Sequence, residues 1–387
     1  MTDATPTEAE NPASARSTPD ESATVEPTAP RGSMSHLASV AYVERGEAAM
    51  AEGDSRAAAG FFDTALAIRR RLAVADPDDP ARRHDLACAH VLAGDLAMAD
   101  GEASEAEEHF WTALLLGRTM LAADADSPVA RRDIGISQQR LGTLYLDGGD
   151  TARAGEFLRR SLSAALQLAQ AQDGGQASRD LAVCHEKLGD LELALGDSAA
   201  AGLHYRDQLA ALLQLPEVEA ADLGVQCELA VCHFRVGERA LVTGDTDDAD
   251  RYFRDGLAIA RRAADTHPDD AVAIRTLWIG YSKVGDMAMS AGDLAAAGAL
   301  YRTGLDLTRA AVRVDPRDAP ALRDQSIFHE KLGEAAAAGG DAAAAVEQYR
   351  EALAAVQRMV DADPSSVVAR DELVYLTGRV SAAERAA

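Results

Sequence analysis

The chain has 387 residues and carries 38 basic and 63 acidic side chains, for a formal net charge of −25. A surface of this sign repels the phosphates of nucleic acids and anionic lipids, which argues against both as partners. No apolar run reaches the roughly 18 residues that a membrane span requires, and no secretory signal is visible. Four cysteines are too few for a disulfide framework, so we expect a cytoplasmic protein.

The N-terminal segment, residues 1–33, is rich in Thr, Pro, Glu, Ser and Ala and has little large apolar surface beyond Val25. It cannot bury enough surface to offset the entropy of ordering it, so we expect disorder. Met34 stands where periodic sequence begins and is a second candidate for the translation start.

From residue 34 to residue 369, one pattern recurs seven times with a period of 48 residues, and one step is a residue shorter. Each copy has a first glycine, a second glycine seven residues later, then an alanine, an aromatic slot and a leucine. The first glycines are Gly46, Gly94, Gly142, Gly189, Gly237, Gly285 and Gly333. Such a strict period indicates a solenoid, in which each unit packs only against its neighbours.

Each unit is predicted to form two helices. Apolar residues recur at helical spacing before the first glycine, as at Leu181, Cys184 and Leu188. The second glycine is placed to end that helix in the left-handed conformation, and the acid after it, such as Asp197, can cap the next helix. Residues 370–387 hold one more first helix, which we interpret as a terminal cap. The predicted fold is an all-α solenoid of seven helical hairpins plus this cap.

The unit resembles the tetratricopeptide repeat (TPR). The resemblance rests on His185, Leu188, Gly189, Gly196, Ala201 and Tyr205, which have the order and spacing of that family. It covers about residues 34–387, although the units are longer than the 34 residues usual in the family. The resemblance implies a right-handed superhelix whose first helices line a concave groove for a peptide or a partner protein. Long repeats of this type look like arrays in bacterial signalling and defence proteins.

Histidines recur four residues before the first glycine and suggest metal binding. That slot holds Tyr42, His90, Gln138, His185, His233, Tyr281 and His329. Equivalent atoms in neighbouring units should stand about 8–10 Å apart, whereas zinc ligands lie about 2.0–2.3 Å from one point. Glutamine and tyrosine in the same slot also favour packing, and we therefore predict no metal site.

Catalysis has no positive support in the sequence. There is no Gly-Lys pair for a phosphate-binding loop and no Gly-x-Ser-x-Gly motif. We expect no catalytic residue and no cofactor.

A series of cations stands two residues before the first glycine in five consecutive units. We call Arg140, Lys187, Arg235, Lys283 and Lys331 the inner cation series. By the resemblance, this face of the first helix looks into the groove, where the series would suit an acidic peptide or a C-terminal carboxylate. The competing interpretation is that acids three residues later, such as Asp190 and Asp286, neutralise it through pairs within one helix.

The sequence thus favours a non-catalytic scaffold or adaptor that binds a protein or peptide. The main alternative is a ligand-controlled regulator in bacterial signalling or defence, and an enzyme is a distant third. The third and fourth units have irregular ends, at Asp173-Gly174-Gly175 and Leu215-Pro216, where we expect hinges.

Overall fold

The computed structural model describes residues 31–51, 53–171 and 174–387. Within these ranges the chain forms α-helices and no strand, which confirms the predicted all-α class. Most of the predicted disordered segment, residues 1–30, lies outside the described residues, and the first helix begins at Arg31.

The helices form seven hairpins with one further helix after them. The first helices of the hairpins are α1 (Arg31–Ala51), α3 (Pro80–Ala99), α5 (Pro128–Asp147), α7 (Gly175–Ala194), α10 (Leu223–Thr243), α12 (Ala271–Ser290) and α14 (Ala319–Ala338). The second helices are α2 (Ser55–Ala75), α4 (Ala103–Ala123), α6 (Thr151–Ala171), α8 (Ser198–Leu212), α11 (Thr246–Thr266), α13 (Leu294–Val314) and α15 (Ala342–Ala362). The last helix, α16 (Val367–Ala386), packs on α15 and begins three residues earlier than predicted.

The fold is a solenoid in which substantial contacts join helices that are consecutive or next but one in the chain. Apart from consecutive pairs and the pair α8 and α10, which α9 separates in the chain, these contacts join first helices to first helices: α3 to α5, α5 to α7 and α10 to α12. Neighbouring first helices therefore approach each other more closely than neighbouring second helices do. We call the surface formed by the first helices the inner wall; that this surface is concave, and that the array is right-handed, stay predictions.

The turn inside each unit follows the predicted chemistry. All seven second glycines have φ between 78° and 86°, the left-handed conformation that ends a helix at low cost for glycine. Asp197 then accepts a hydrogen bond from the backbone N–H of Ala200, and the other aspartates in this slot cap their units in the same way. Glu102 makes no such side-chain bond, as expected for the weaker cap.

The first glycines are explained by a ring and not by a backbone crossing, which corrects the detail of the sequence interpretation. A Cβ built on Gly189 would lie closer than 3.0 Å to the ring of Tyr205, in the aromatic slot of the same unit. The same overlap recurs in the other units, with Leu158 taking the place of the ring against Gly142. The invariant alanine four residues before this slot is at most 1% exposed in every unit. In each hairpin, one large side chain of the second helix therefore packs directly against the first glycine, on the first helix.

The fourth unit departs from this regular plan. Its second helix, α8, has 15 residues where the other second helices have 21, and a four-residue helix, α9 (Glu217–Ala220), follows it. Leu215 and Pro216 stand between these two helices, where the sequence predicted an irregular junction. The hinge motion proposed for this junction stays a prediction.

Candidate functional site

The inner cation series lies on the first helices, and most of its members pair with acids of the preceding unit. The pairs are Arg140–Asp95 at 2.6 Å, Arg235–Glu186 at 2.9 Å, Lys283–Glu238 at 2.6 Å and Lys331–Asp286 at 2.6 Å. One of the two interpretations of the sequence paired these cations with acids of their own helix, three residues later. The structure places them between units, because side chains of adjacent first helices meet across the inner wall. The series is therefore part of the contact that stacks one hairpin on the next.

A tyrosine joins several of these pairs. The hydroxyl of Tyr301 donates to Asp286 at 2.7 Å, and the Lys331 ammonium lies 5.6 Å from the centre of the same ring. Burial, reinforced by the hydrogen bond to Asp286, raises the pKa of Tyr301, so its hydroxyl remains a donor. Tyr205 makes the equivalent bond to Asp190, which also lies 3.9 Å from the guanidinium of Arg235 in the next unit. The ring that covers the first glycine thus also anchors the acid that holds the next unit.

Sequence reasoning missed a further member of the series on the C-terminal cap. Arg379 stands 48 residues after Lys331, bonds to Glu334 at 3.0 Å and to the hydroxyl of Tyr349 at 2.6 Å. It was missed because α16 lacks the glycine that marked the slot in the other units. The repeat period alone could have found it.

Lys187 is the exception in the inner cation series. The position that carries an acid in the other units of the series holds Thr143 in the preceding unit. The nearest carboxylates to the Lys187 ammonium belong to its own helix, Glu186 at 3.6 Å and Asp190 at 3.8 Å. Both distances exceed those of the pairs between units. The series is therefore interrupted between the third and fourth units, where the repeat is also one residue short.

A cavity of about 190 Å³ opens at the same junction, between α5, α6 and α7. Its lining is mostly apolar, with Ile136, Ala165, Leu168 and Val183 among the contributing side chains. Ser161 is buried at this site and donates to the backbone carbonyl of Gly135 at 2.8 Å. The volume suits one side chain of a ligand and not a folded partner.

A second charge series runs along the first helices in the opposite direction, from a cation of one unit to an acid of the next. It comprises His36–Asp85 at 3.0 Å, His84–Asp133 at 2.9 Å, Arg132–Asp180 at 3.1 Å, Arg275–Asp324 at 4.0 Å and Arg323–Glu372 at 2.7 Å. The signal in the sequence is an acid 48 or 49 residues after a base. Hydrogen bonds of the His84 ring to Asp133 and Cys88 raise the pKa of His84 to about 10, against the effect of burial.

The recurring histidines lie between the two helices of their own unit. Nδ1 of His185 lies 3.2 Å from Nδ1 of His204, and Nδ1 of His329 lies 2.9 Å from Oε1 of Gln348. Burial lowers the pKa of His185, His233 and His329, so these rings are held neutral. Their position agrees with the packing interpretation, although the sequence comparison looked across units and overlooked the partner on the second helix.

Two further observations concern membrane-spanning helices and the state of the cysteines. Among the described residues, no helix has the length and hydropathy needed to cross a membrane. Cys88, Cys184, Cys227 and Cys232 are free thiols, and the last three are buried.

Comparison with known proteins shows similarity in fold. No family model and no curated protein matches the sequence. Among solved structures, BtubC from P. vanneervenii is 18% identical, with a TM-score of 0.50 over 67% of this chain and 91% of that one. Aspartyl phosphate phosphatase F from Bacillus subtilis is 12% identical, with a TM-score of 0.51 over 92% of this chain and 81% of that one.

A tetratricopeptide repeat protein from Parabacteroides merdae is also similar, at 15% identity and a TM-score of 0.37, over 88% of this chain and 99% of that one. At these identities the likeness concerns the fold alone. The fold of the chain is an all-α solenoid: an array of helical hairpins in which each unit stacks on the next.

Proposed function

We propose that this chain is a non-catalytic scaffold that binds a peptide or a partner protein along the inner wall formed by its first helices. The observation that carries the proposal is the inner cation series, which sets charged side chains at a regular spacing along that wall. A ligand carboxylate can bind there by replacing an acid of the neighbouring unit. Charge-assisted hydrogen bonds of this kind are the strong ones in protein recognition.

Lys187 is the member where such replacement costs least. Its carboxylate neighbours lie at 3.6 and 3.8 Å, beyond a good hydrogen bond, whereas Lys331 holds Asp286 at 2.6 Å. We infer that an acidic side chain or a C-terminal carboxylate of the ligand binds first at Lys187. Such a ligand would place a neighbouring apolar side chain in the cavity between α5, α6 and α7.

A peptide library displayed with free C-termini tests this proposal. Panning on the full chain should enrich acidic sequences or terminal carboxylates, and Lys187→Glu should weaken their binding at least about tenfold. The matched control is Arg206→Glu, which makes the same charge change on an exposed position of α8, the second helix of the same unit. Equal binding by wild type and Lys187→Glu, or an equal loss in both variants, would contradict the proposal.

A second candidate is a regulator whose array opens or closes on a ligand, and the irregular fourth unit favours it. The inner cation series is interrupted where this unit meets the third, and α8 is short and α9 is inserted where it meets the fifth. Small-angle scattering with and without the selected peptide separates the two functions. A scaffold keeps its radius of gyration, whereas a switch changes it measurably.

A further inference from the structure

Three side chains that bind metals well meet on the inner wall between the second and third units. His84 and Cys88 lie one turn apart on α3, and Asp133 reaches them from α5. Nδ1 of His84 is 2.9 Å from Oδ2 of Asp133 and 3.8 Å from Sγ of Cys88. One ligand atom from each residue lies within 4.8 Å of the other two.

These separations suit one tetrahedral ion. Bonds of about 2.0–2.3 Å from zinc to N, O and S place the ligand atoms about 3.3–3.7 Å apart. The 3.8 Å from sulfur to Nδ1 is close to this range, and the contact of Nδ1 with the carboxylate oxygen needs to lengthen by about half an ångström. Asp133 is 6% exposed, so its carboxylate is held in place, whereas the ring of His84 is free to adjust at 40% exposure.

The repeat itself shows that this set is unusual. The slot of Cys88 holds a β-branched aliphatic residue in the six other units: Val40, Ile136, Val183, Val231, Ile279 and Ile327. The slot of His84 holds arginine in four units: Arg132, Arg179, Arg275 and Arg323. The second unit therefore departs from the pattern at two positions one helical turn apart, and both changes introduce a metal ligand beside the acid of the next unit.

The first unit provides an internal comparison. His36 also replaces arginine and pairs with Asp85 at 3.0 Å, but Val40 stands one turn later where the second unit has Cys88. A histidine in this slot is thus compatible with a simple ion pair. The added thiolate donor distinguishes the second unit from the first.

We propose that His84, Cys88 and Asp133 bind a divalent transition-metal ion, Zn²⁺ in particular, as a three-ligand site that joins the second unit to the third. The thiol of Cys88 and the imidazolium of His84 each release a proton when the ion binds, and the carboxylate binds as it stands. The fourth position opens toward a cavity of about 390 Å³ that Cys88 and Asp133 help to line. Water or a donor atom of a ligand in the groove completes the coordination there.

Variants that restore the repeat's own residues test the site with little risk to the fold. Cys88→Val recreates the arrangement of the first unit, and His84→Arg recreates the pair of Arg132 with Asp180. Calorimetric titration of the full chain with Zn²⁺ should show one tight site, and each substitution should weaken it at least about tenfold. Zn²⁺ should also raise the melting temperature of the wild type and not that of either variant.

Titration with Co²⁺ identifies the ligands. Wild type should show a sulfur-to-cobalt charge-transfer band that Cys88→Val lacks. His204→Gln serves as the control, because His185, His204 and Asp207 are the other group of potential ligands found in the described residues. The proposal is overturned if wild type binds no stoichiometric metal, if Cys88→Val and His84→Arg bind as wild type does, or if His204→Gln alone abolishes binding.

Discussion

The junction between the third and fourth units and the stack of the last three units use the same hairpin but differ in how the hairpins are joined. Within each hairpin a large side chain lies on the first glycine in both regions. Between hairpins, Lys331 pairs with Asp286, which also accepts from Tyr301, in the regular stack, whereas at the junction Thr143 occupies the position where Lys187 would need an acid. The difference shows that the residues repeated in every unit determine the structure of the hairpin. Single residues at the inner wall determine the strength of each contact between hairpins.

Substitution of the first glycine should have the largest effect, and it should be the same in both regions. Gly189→Ala and Gly285→Ala each place a Cβ against a tyrosine ring and should lower the free energy of unfolding by about 1–3 kcal/mol. Gly60, a helical glycine in α2 with open space around it, is the control. Gly60→Ala should raise stability by up to about 1 kcal/mol, since alanine is the better helix former. Urea denaturation measures all three, and a gain for Gly189→Ala would contradict the close approach of the ring.

Lowering the pH should cause the next largest loss of stability, through the combined protonation of His185, His233 and His329. Their pKa values are lowered in the folded state by burial, so the unfolded chain takes up more protons once the pH falls below the ordinary value of about 6.5. Stability contributed by these neutral rings is present at pH 7 and lost on acidification.

Replacing all three with glutamine, which the third unit already has at Gln138, should flatten the loss between pH 7 and pH 5. Burial raises the pKa of Asp324 to about 6, and this carboxyl acts in the opposite direction in part of that range. It is common to both proteins, so the difference between their unfolding curves isolates the histidines. Identical pH profiles of the two proteins would show that these histidines do not cause the loss of stability in acid.

Removal of the Asp286 carboxylate in the stack of the last three units should lower the free energy of unfolding by less than the changes above. Asp286→Asn leaves the Lys331 ammonium without its carboxylate and weakens the bond from Tyr301, and we expect a loss of about 1 kcal/mol. The loss is limited because both charges are partly exposed to solvent. Chemical denaturation at low and high salt checks the value, and a loss that does not shrink in high salt would argue against the ion pair as its source.

Addition of the missing acid at the junction should have the smallest effect and the opposite sign. Thr143→Asp gives Lys187 the partner that its equivalents have and should raise stability by about 0.2–1 kcal/mol at low ionic strength. The new carboxylate can also accept the bond that Gln139 now donates to Thr143. The same variant should bind an acidic peptide more weakly, since the peptide then competes with Asp at position 143 for Lys187. No change in either measurement would show that the interruption is incidental.

The local features of the fold could be predicted because each depends on a short stretch of chain. Helical spacing, the left-handed Gly196 and the cap from Asp197 lie within one unit and recur along the array, except that Glu102 makes no cap bond. The offset between stacked hairpins could not be predicted from the sequence, because it is set by the packing of one hairpin against the next in three dimensions. Without that offset, the pairing of Lys331 with Asp286 of the preceding unit could not be told from pairing within one helix.

The candidate metal ligands were missed for a related reason. Cys88 and His84 are adjacent on one face of a helix, but Asp133 joins them only after the second and third units stack. The sequence comparison followed the recurring histidines, whereas the informative residues were those that break the recurrence.

Hydrogen–deuterium exchange of the full chain, with and without a peptide selected on it, tests the central claim most directly. If the inner wall binds the ligand, protection should appear in the first helices α5, α7 and α10 and should diminish with Lys187→Glu. Protection confined to the second helices α6, α8 and α11 would contradict the account.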